Sequence, residues 1–289
     1  MGNDCKIKIP ENLTMTSVDG IYRTALKISG PCLLRFDFSD VSSLTPQSLL
    51  LLVIASRFYY DTFGCIIEWT AIKLDVLSYM DRMNIGDVDF VKIERPSFFE
   101  RILYKKSDAL VELSTIHNGR EIGNAILETK NVFSNWLPDS DSECRHHLLT
   151  LIKETVENSV EHSSTIPSNG FCYYALEKNV LQNGKTEVQI AVGDTGIGML
   201  ASQRRVHPST KDDAEAIIKA LMDGRSGRET GGGGMGYVNI RESLGPLNGE
   251  ICIRSGRAHV EHIAGAPFAR IYRHTFNCAG TQIIFKCRT

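Results

Sequence analysis

Short apolar runs alternate with amphipathic stretches from Cys5 to about Ile93: Lys6 to Ile9, Val18 to Ile28, Cys32 to Phe38, Gln47 to Tyr60, Cys65 to Thr70, Lys73 to Met83 and Val88 to Ile93. Strand-length runs set between helix-length ones predict a small α/β domain. Its longest helix opens at Thr45-Pro46, a hydroxyl suited to the N-cap followed by a proline at the first helical position, where its missing N–H costs nothing. Arg101 to Asp108 is charged and reads as a linker, which puts one domain at 1–106 and a second at 107–289.

In the second half, Ala109 to Trp136 reads as one or two helices and Pro138-Asp139-Ser140-Asp141 as a break. Asp141 then caps a helix running to about His162, with Leu148, Leu149, Ile152, Val156 and Val160 on one face. Glu154, Glu157, Asn158, Glu161 and His162 share the other face. A charged face is ordinarily just solvated. In Glu154-Thr155-Val156-Glu157-Asn158-Ser159-Val160-Glu161-His162, however, a carboxylate, a carboxamide and an imidazole recur at i, i+4 and i+8, all aimed one way.

Three glycine-marked stretches follow. The strand Glu187 to Val192 runs into Gly193-Asp194-Thr195-Gly196-Ile197-Gly198-Met199, although aspartate followed by glycines also suits any tight turn. Next, Gly224-Arg225-Ser226-Gly227-Arg228-Glu229-Thr230 and Gly231-Gly232-Gly233-Gly234-Met235-Gly236-Tyr237 lead into a helix through Val238, Ile240 and Leu244. A glycine run is either a flexible linker or, ahead of a helix, a row of N–H groups at the positive helix end where phosphate binds. Last, Gly280-Thr281 precedes the apolar strand Gln282 to Phe285.

In this order the four stretches resemble the boxes of the GHKL superfamily of ATPases and kinases, over the whole second domain. The resemblance implies a Bergerat-fold α/β sandwich, a mixed sheet covered by helices on one face, that binds ATP with Mg²⁺. Asn158 would then be an oxygen ligand to the metal, as suits a hard cation, and Glu154 would polarise the attacking water or hydroxyl. Asp194 would accept from the adenine amino group, with Gly196 and Gly198 letting the backbone approach the base. Gly232, Gly234, Met235 and Gly236 match the phosphate-binding box. Arg225, Arg228 and Thr230 would lie on a lid over the phosphates, although both arginines could equally be solvated. Thr281 would bond near the aspartate, and His162 belongs to the pocket by the same match.

The first domain is similar to STAS-like domains of anti-anti-sigma proteins through Phe36-Asp37-Phe38-Ser39-Asp40-Val41-Ser42-Ser43-Leu44 leading into a helix, and through Gly64 before the next strand. In phosphorylatable members the strand-to-helix turn reads Asp-Ser-Ser-Gly, its second serine being the acceptor. Here the stretch is Thr45-Pro46-Gln47-Ser48, so Gln47 takes the acceptor position.

Composition narrows the field. Apolar residues at 42% and charged residues at 23% fit two packed cores, and a net charge of −2 offers no basic stripe for nucleic acid. The longest apolar run, Leu49 to Ser56, is far short of the roughly 20 residues that span a bilayer, and no signal pattern opens the chain, which reads as cytosolic with no membrane partner. Eight cysteines without a Cys-x-x-Cys pair suggest reduced, buried thiols. His259 and His262 around Glu261 read as a loop or strand-edge pair rather than a metal site. Arg254 to Arg273 is longer than a tight hairpin and leaves room for a partner contact.

The superfamily does not fix the reaction. Histidine autokinase is disfavoured because neither His117 nor His146 opens an acceptor motif, and the topoisomerase and repair types by the lack of a long domain after the last box. Glu154 through Ser163 is nearest to the anti-sigma-factor serine-kinase branch. One reading is an enzyme that hydrolyses ATP or transfers its γ-phosphate to a protein; the other is an ATP-gated interaction module with little turnover. Either accommodates a protein partner and a homodimer.

Overall fold

The computed structural model describes residues 4–97, 110–137, 141–163, 172–182, 184–225, 227 and 235–288, and the chain divides into two compact units, Met1–Ser107 and Asp108–Thr289. The first unit holds β1 (Asp4–Lys8), α1 (Asp19–Arg23), β2 (Leu33–Asp37), α2 (Pro46–Phe63), β3 (Ile66–Thr70), α3 (Leu74–Arg82) and β4 (Val91–Ile93). Its sheet runs β1-β2-β3-β4, parallel throughout, because a helix or turn-rich crossover separates each pair of strands.

Helix α2 supplies most of this unit's core. Leu49 through Ala55 are all at most 2% exposed, so the helix is covered on every side along that run. Its start is a reciprocal cap: Thr45 Oγ1 accepts from Ser48 N at 3.2 Å and Ser48 Oγ accepts from Thr45 N at 2.7 Å. Gly64, at φ +67°, ends the helix in the left-handed region.

The second unit contains β5 (Leu110–Ile116), α4 (Gly119–Trp136), α5 (Ser142–Ser163), β6 (Cys172–Val180), β7 (Thr186–Asp194), α6 (Gly198–Arg204), α7 (Asp213–Asp223), α8 (Met235–Leu244), β8 (Glu250–Ile263) and β9 (Arg270–Arg288). The strands order as β5-β6-β7-β9-β8. The α/β class stands, with one correction: every described pairing in this sheet is antiparallel where a mixed sheet is expected. Hairpin connections such as β6 to β7, closed by Leu181 N donating to Lys185 O, reverse the chain and force alternate directions.

Alternate residues of β7, Val188, Ile190 and Val192, join Leu148, Ile152, Val156 and Val160 of α5 and Ile251, Ile253, Ile283 and Phe285 of β8 and β9 in one buried cluster. Each such side chain contributes about 1.5–3 kcal/mol on burial, which fixes α5 with its polar face turned from the sheet.

Two segments differ from expectation. Residues 110–116 form a strand, not a helix; Asn118 caps α4 by accepting from Arg120 N and Glu121 N, so the helical run starts only there. Arg254 to Arg273 runs through the end of β8, the turn at 264–269 and the start of β9, the two longest strands. Within β8 the chain doubles back: Gly249 O accepts from Ala264 N at 2.9 Å, whereas a straight strand would put them about 50 Å apart. Gly256, at φ +59°, lies midway, and Arg257 N donates to Asp213 Oδ2 at 3.0 Å to hold the turn. His259 and His262 are therefore buried strand residues on opposite faces, not loop histidines.

All eight cysteines are free, and four of them, Cys65, Cys172, Cys278 and Cys287, are buried. No described helix is long and apolar enough to cross a membrane.

Candidate functional site

The polar stripe of α5 meets the start of α8. Glu154 Oε1 accepts from Asn239 Nδ2 at 2.9 Å. A Cβ added at Gly236 would lie 2.9 Å from Glu154 Oε2 and 3.2 Å from Asn158 Nδ2, so glycine lets the α8 backbone sit against both groups without displacing either side chain. Asn239 is one helical turn beyond Gly236 and thus on the same side of α8. The sequence reading missed Asn239, although the i, i+3 spacing from the last glycine was a signal for it.

Asp194 closes β7 at the other wall. It is 1% exposed, and its Oδ1 accepts from Gly196 N at 2.8 Å and Thr281 N at 3.2 Å. Burial pushes its carboxyl up to about 7, against the lowering effect of those two N–H groups and of a hydrogen bond from Ser159. Two glycines, Gly196 and Gly280, crowd this carboxylate. A Cβ at Gly196 would fall 2.6 Å from His162 O, and one at Gly280 would fall 2.0 Å from Asp194 O, with Gly280 also at φ +61°. Gly198, at φ +76°, turns the chain into α6.

Ser255 ties these pieces together. Its Oγ accepts from Met199 N at 2.9 Å and donates to Gly280 O at 3.1 Å, while Thr281 Oγ1 reaches it at 3.4 Å. The threonine thus approaches Asp194 through its backbone N–H, its hydroxyl being turned to Ser255. Nothing local in the sequence marks Ser255, because its role depends on the register of β8 against β9.

One cleft is lined by Glu154, Asn158, His162, Asp194, Gly198, Arg225, Gly236 and Thr281. Gly224, at φ +66°, ends α7 and directs Arg225 to it. His162 Nδ1 lies 3.4 Å from Ser202 Oγ. Gly196 is packed behind Asp194 rather than on the lining, and Met235 is 62% exposed. Arg228, Thr230, Gly232 and Gly234 lie outside the described residues. Met199, Ser202, Tyr237 and Ile283 also line the cleft and were not anticipated. The cleft therefore has an oxygen-rich wall of Glu154, Glu157 and Asn158 and a second wall built of Asp194, Met199 and Ile283.

No protein-family model matches the chain. The chain is 26% identical over 200 residues to the signal transduction histidine-protein kinase BarA of Escherichia coli strain K12, and equally to the BarA proteins of E. coli O157:H7 and Shigella flexneri. The match covers 65% of this chain and 20% of each BarA protein, so the chain spans about a fifth of the length of the curated relatives it matches. The similarity is thus a distant one, to part of a signal transduction histidine-protein kinase.

Proposed function

We propose that the second unit is a GHKL-type domain that binds ATP with Mg²⁺ and hydrolyses it or transfers its γ-phosphate to a protein. The observation that carries the reading is Asp194: an ionised carboxylate offers about four acceptor sites, and Gly196, Thr281 and Ser159 supply three donors. One remains for a donor in the cleft, and the adenine amino group is such a donor. Met199 and Ile283 beside it supply apolar surface for a base.

The opposite wall fits the metal. Glu154, Glu157 and Asn158 are oxygen donors on one helix face, which is what a hard, partly hydrated cation takes. Mg²⁺, when bound, offsets the negative charge of the phosphates. Asn158 would hold it through the carboxamide oxygen. Glu154, its carboxylate fixed by Asn239, would take the proton of the attacking water or hydroxyl. Arg225 would contact phosphate oxygens.

The anti-sigma serine-kinase branch is supported by Glu154 through Ser163, and a STAS-like first unit by the parallel sheet around α2. The second reading, an ATP-gated switch with little turnover, is favoured by Gln47, which puts a carboxamide in the first turn of α2 where an acceptor hydroxyl would stand. A protein partner or substrate outside the chain suits either. Incubation with γ-labelled ATP and Mg²⁺, following free phosphate and protein-bound label, decides: release or transfer supports the enzyme, and tight binding with neither supports the switch. Failure of the chain to bind ATP at all would remove both.

A further inference from the structure

The reversal of β8 at Gly256 has a chemical result on the sheet face turned away from Ile251, Ile253 and the helices. It sets Cys252, on the outgoing limb, beside His259 and Glu261 on the returning one. One ligand atom from each, a sulfur, an imidazole nitrogen and a carboxylate oxygen, lie within 4.8 Å of one another. His259 is 1% exposed, while the Glu261 side chain is 41% exposed and gives the cluster a route to solvent.

Each of the two harder ligands is held by a second group. His259 Nδ1 lies 2.7 Å from His274 Nε2, and His259 Nε2 faces Glu261 Oε1 at 3.6 Å. With His259 donating from Nδ1 to His274, its Nε2 is the acceptor side of the ring and faces the Glu261 carboxylate, so the two present a nitrogen and an oxygen ligand to a cation placed between them. Tyr272 Oη donates to Glu261 Oε2 at 3.2 Å, and the Tyr272 ring stacks on His259 at 4.2 Å, fixing the plane of the imidazole. Metal-binding histidines and carboxylates are oriented in this way by outer partners. An ion pair alone would account for His259 and Glu261 but gives the thiol no part.

We infer that Cys252, His259 and Glu261 form a binding site for a thiophilic divalent ion of the zinc class, oriented by His274 and Tyr272. Three protein ligands of S, N and O type with a fourth position open suit zinc, for which bonds of about 2.0–2.3 Å put ligand atoms roughly 3.3–3.8 Å apart. The cluster therefore has to contract by about 1 Å along its longest edge. Binding replaces the thiol proton: the Cys252 S–H bond breaks, the sulfur pair forms the metal bond, and the proton leaves to solvent.

The test is titration of the metal-free, full chain with Zn²⁺ alone by calorimetry, and with Co²⁺ by absorbance, where a thiolate-to-metal band reports the sulfur. One equivalent and a thiolate band are expected. Cys252→Ser abolishes the band, and the exposed, conservative Glu261→Gln weakens binding. His274→Ala keeps the band but weakens binding about 10- to 100-fold. Circular dichroism of the metal-free variants verifies that each is folded. Cys32 and Cys65, whose sulfurs are 3.3 Å apart in the first unit, supply the control. Absence of stoichiometric uptake, or a band that survives Cys252→Ser and is lost with Cys32→Ser, overturns the site. ATP binding is read separately on the same samples, so its loss or retention does not bear on this outcome.

Discussion

Asn239 of α8 donates to the Glu154 carboxylate of α5 at 2.9 Å, so the helix that carries Gly236 in its first turn also sets the orientation of the group assigned to proton transfer. A positioned base contributes about 10²–10⁴-fold to rate and little to ground-state binding. Glu154→Ala is therefore expected to keep ATP affinity and lose turnover by that factor. Asn239→Ala leaves the base present but unheld and should give a smaller loss, in kcat rather than KM. Turnover of Glu154→Ala equal to that of the unaltered chain would remove Glu154 from the chemistry.

Asn158→Ala makes a different prediction on the same helix. It should weaken nucleotide binding in the presence of Mg²⁺ and leave the weaker, metal-free affinity unchanged. Equal losses with Mg²⁺ and with a chelator would mean that Asn158 shapes the cleft and does not hold a metal.

Asp194 ties selectivity to pH. Asp194→Asn should cost ATP binding about 1.5–3 kcal/mol, roughly 10- to 150-fold, and GTP binding much less. The ionised carboxylate is the better acceptor, and its pKa is about 7 in the folded chain, so ATP affinity should rise as pH increases through 7. That slope should vanish in Asp194→Asn. The same shift acts on stability with the opposite sense. An unfolded aspartate titrates near about 3.9, so between there and 7 the folded chain holds a proton that the unfolded one lacks. This contribution is full below about pH 4 and is lost as pH rises through 7. Denaturant unfolding at several pH values, with and without Asp194→Asn, measures it.

Glycines offer a steric contrast. Gly280→Ala combines positive φ with a Cβ 2.0 Å from a backbone oxygen, and should destabilise the second unit by more than about 1–3 kcal/mol and abolish nucleotide binding. Gly123→Ala, mid-helix in α4 with nothing within 4 Å of the added carbon, should stabilise by roughly 0.5–1 kcal/mol. Thermal melts of both variants check the pair, and destabilisation by Gly123→Ala would show that space alone does not govern these positions.

What the sequence revealed was what local pattern determines. Thr45-Pro46 opens α2 as expected, because a cap is written in adjacent residues. The 3.6-residue period of α5 separated Ile152 and Val156 from Glu154 and Asn158 before any contact was known, since one buried face suffices to orient a helix. Residues 110–116 were misread because Leu110, Val111 and Leu113 suit a helix stripe as well as a strand, and the deciding information is pairing with β6, far along the chain. Ser255 was invisible for the same reason. The His259 cluster needed the reversal at Gly256, which no periodicity announces: Cys252 and Glu261 come together only because one glycine adopts a positive φ.

The reciprocal cap of α2 restricts how the first unit can be modified. Ser48, next to the position held by Gln47, is 5% exposed, and its hydroxyl is committed to Thr45 through both N–H and carbonyl. Esterifying that oxygen would strip the helix of its cap and force a dianion into a buried position, so Ser48 cannot stand in for an acceptor. Position 47 is half-buried and outside the Thr45–Ser48 pair. On the STAS-like reading proposed above, Gln47→Ser would therefore place a hydroxyl at the acceptor position while leaving the cap intact, making the first unit a candidate phosphate carrier by a single codon.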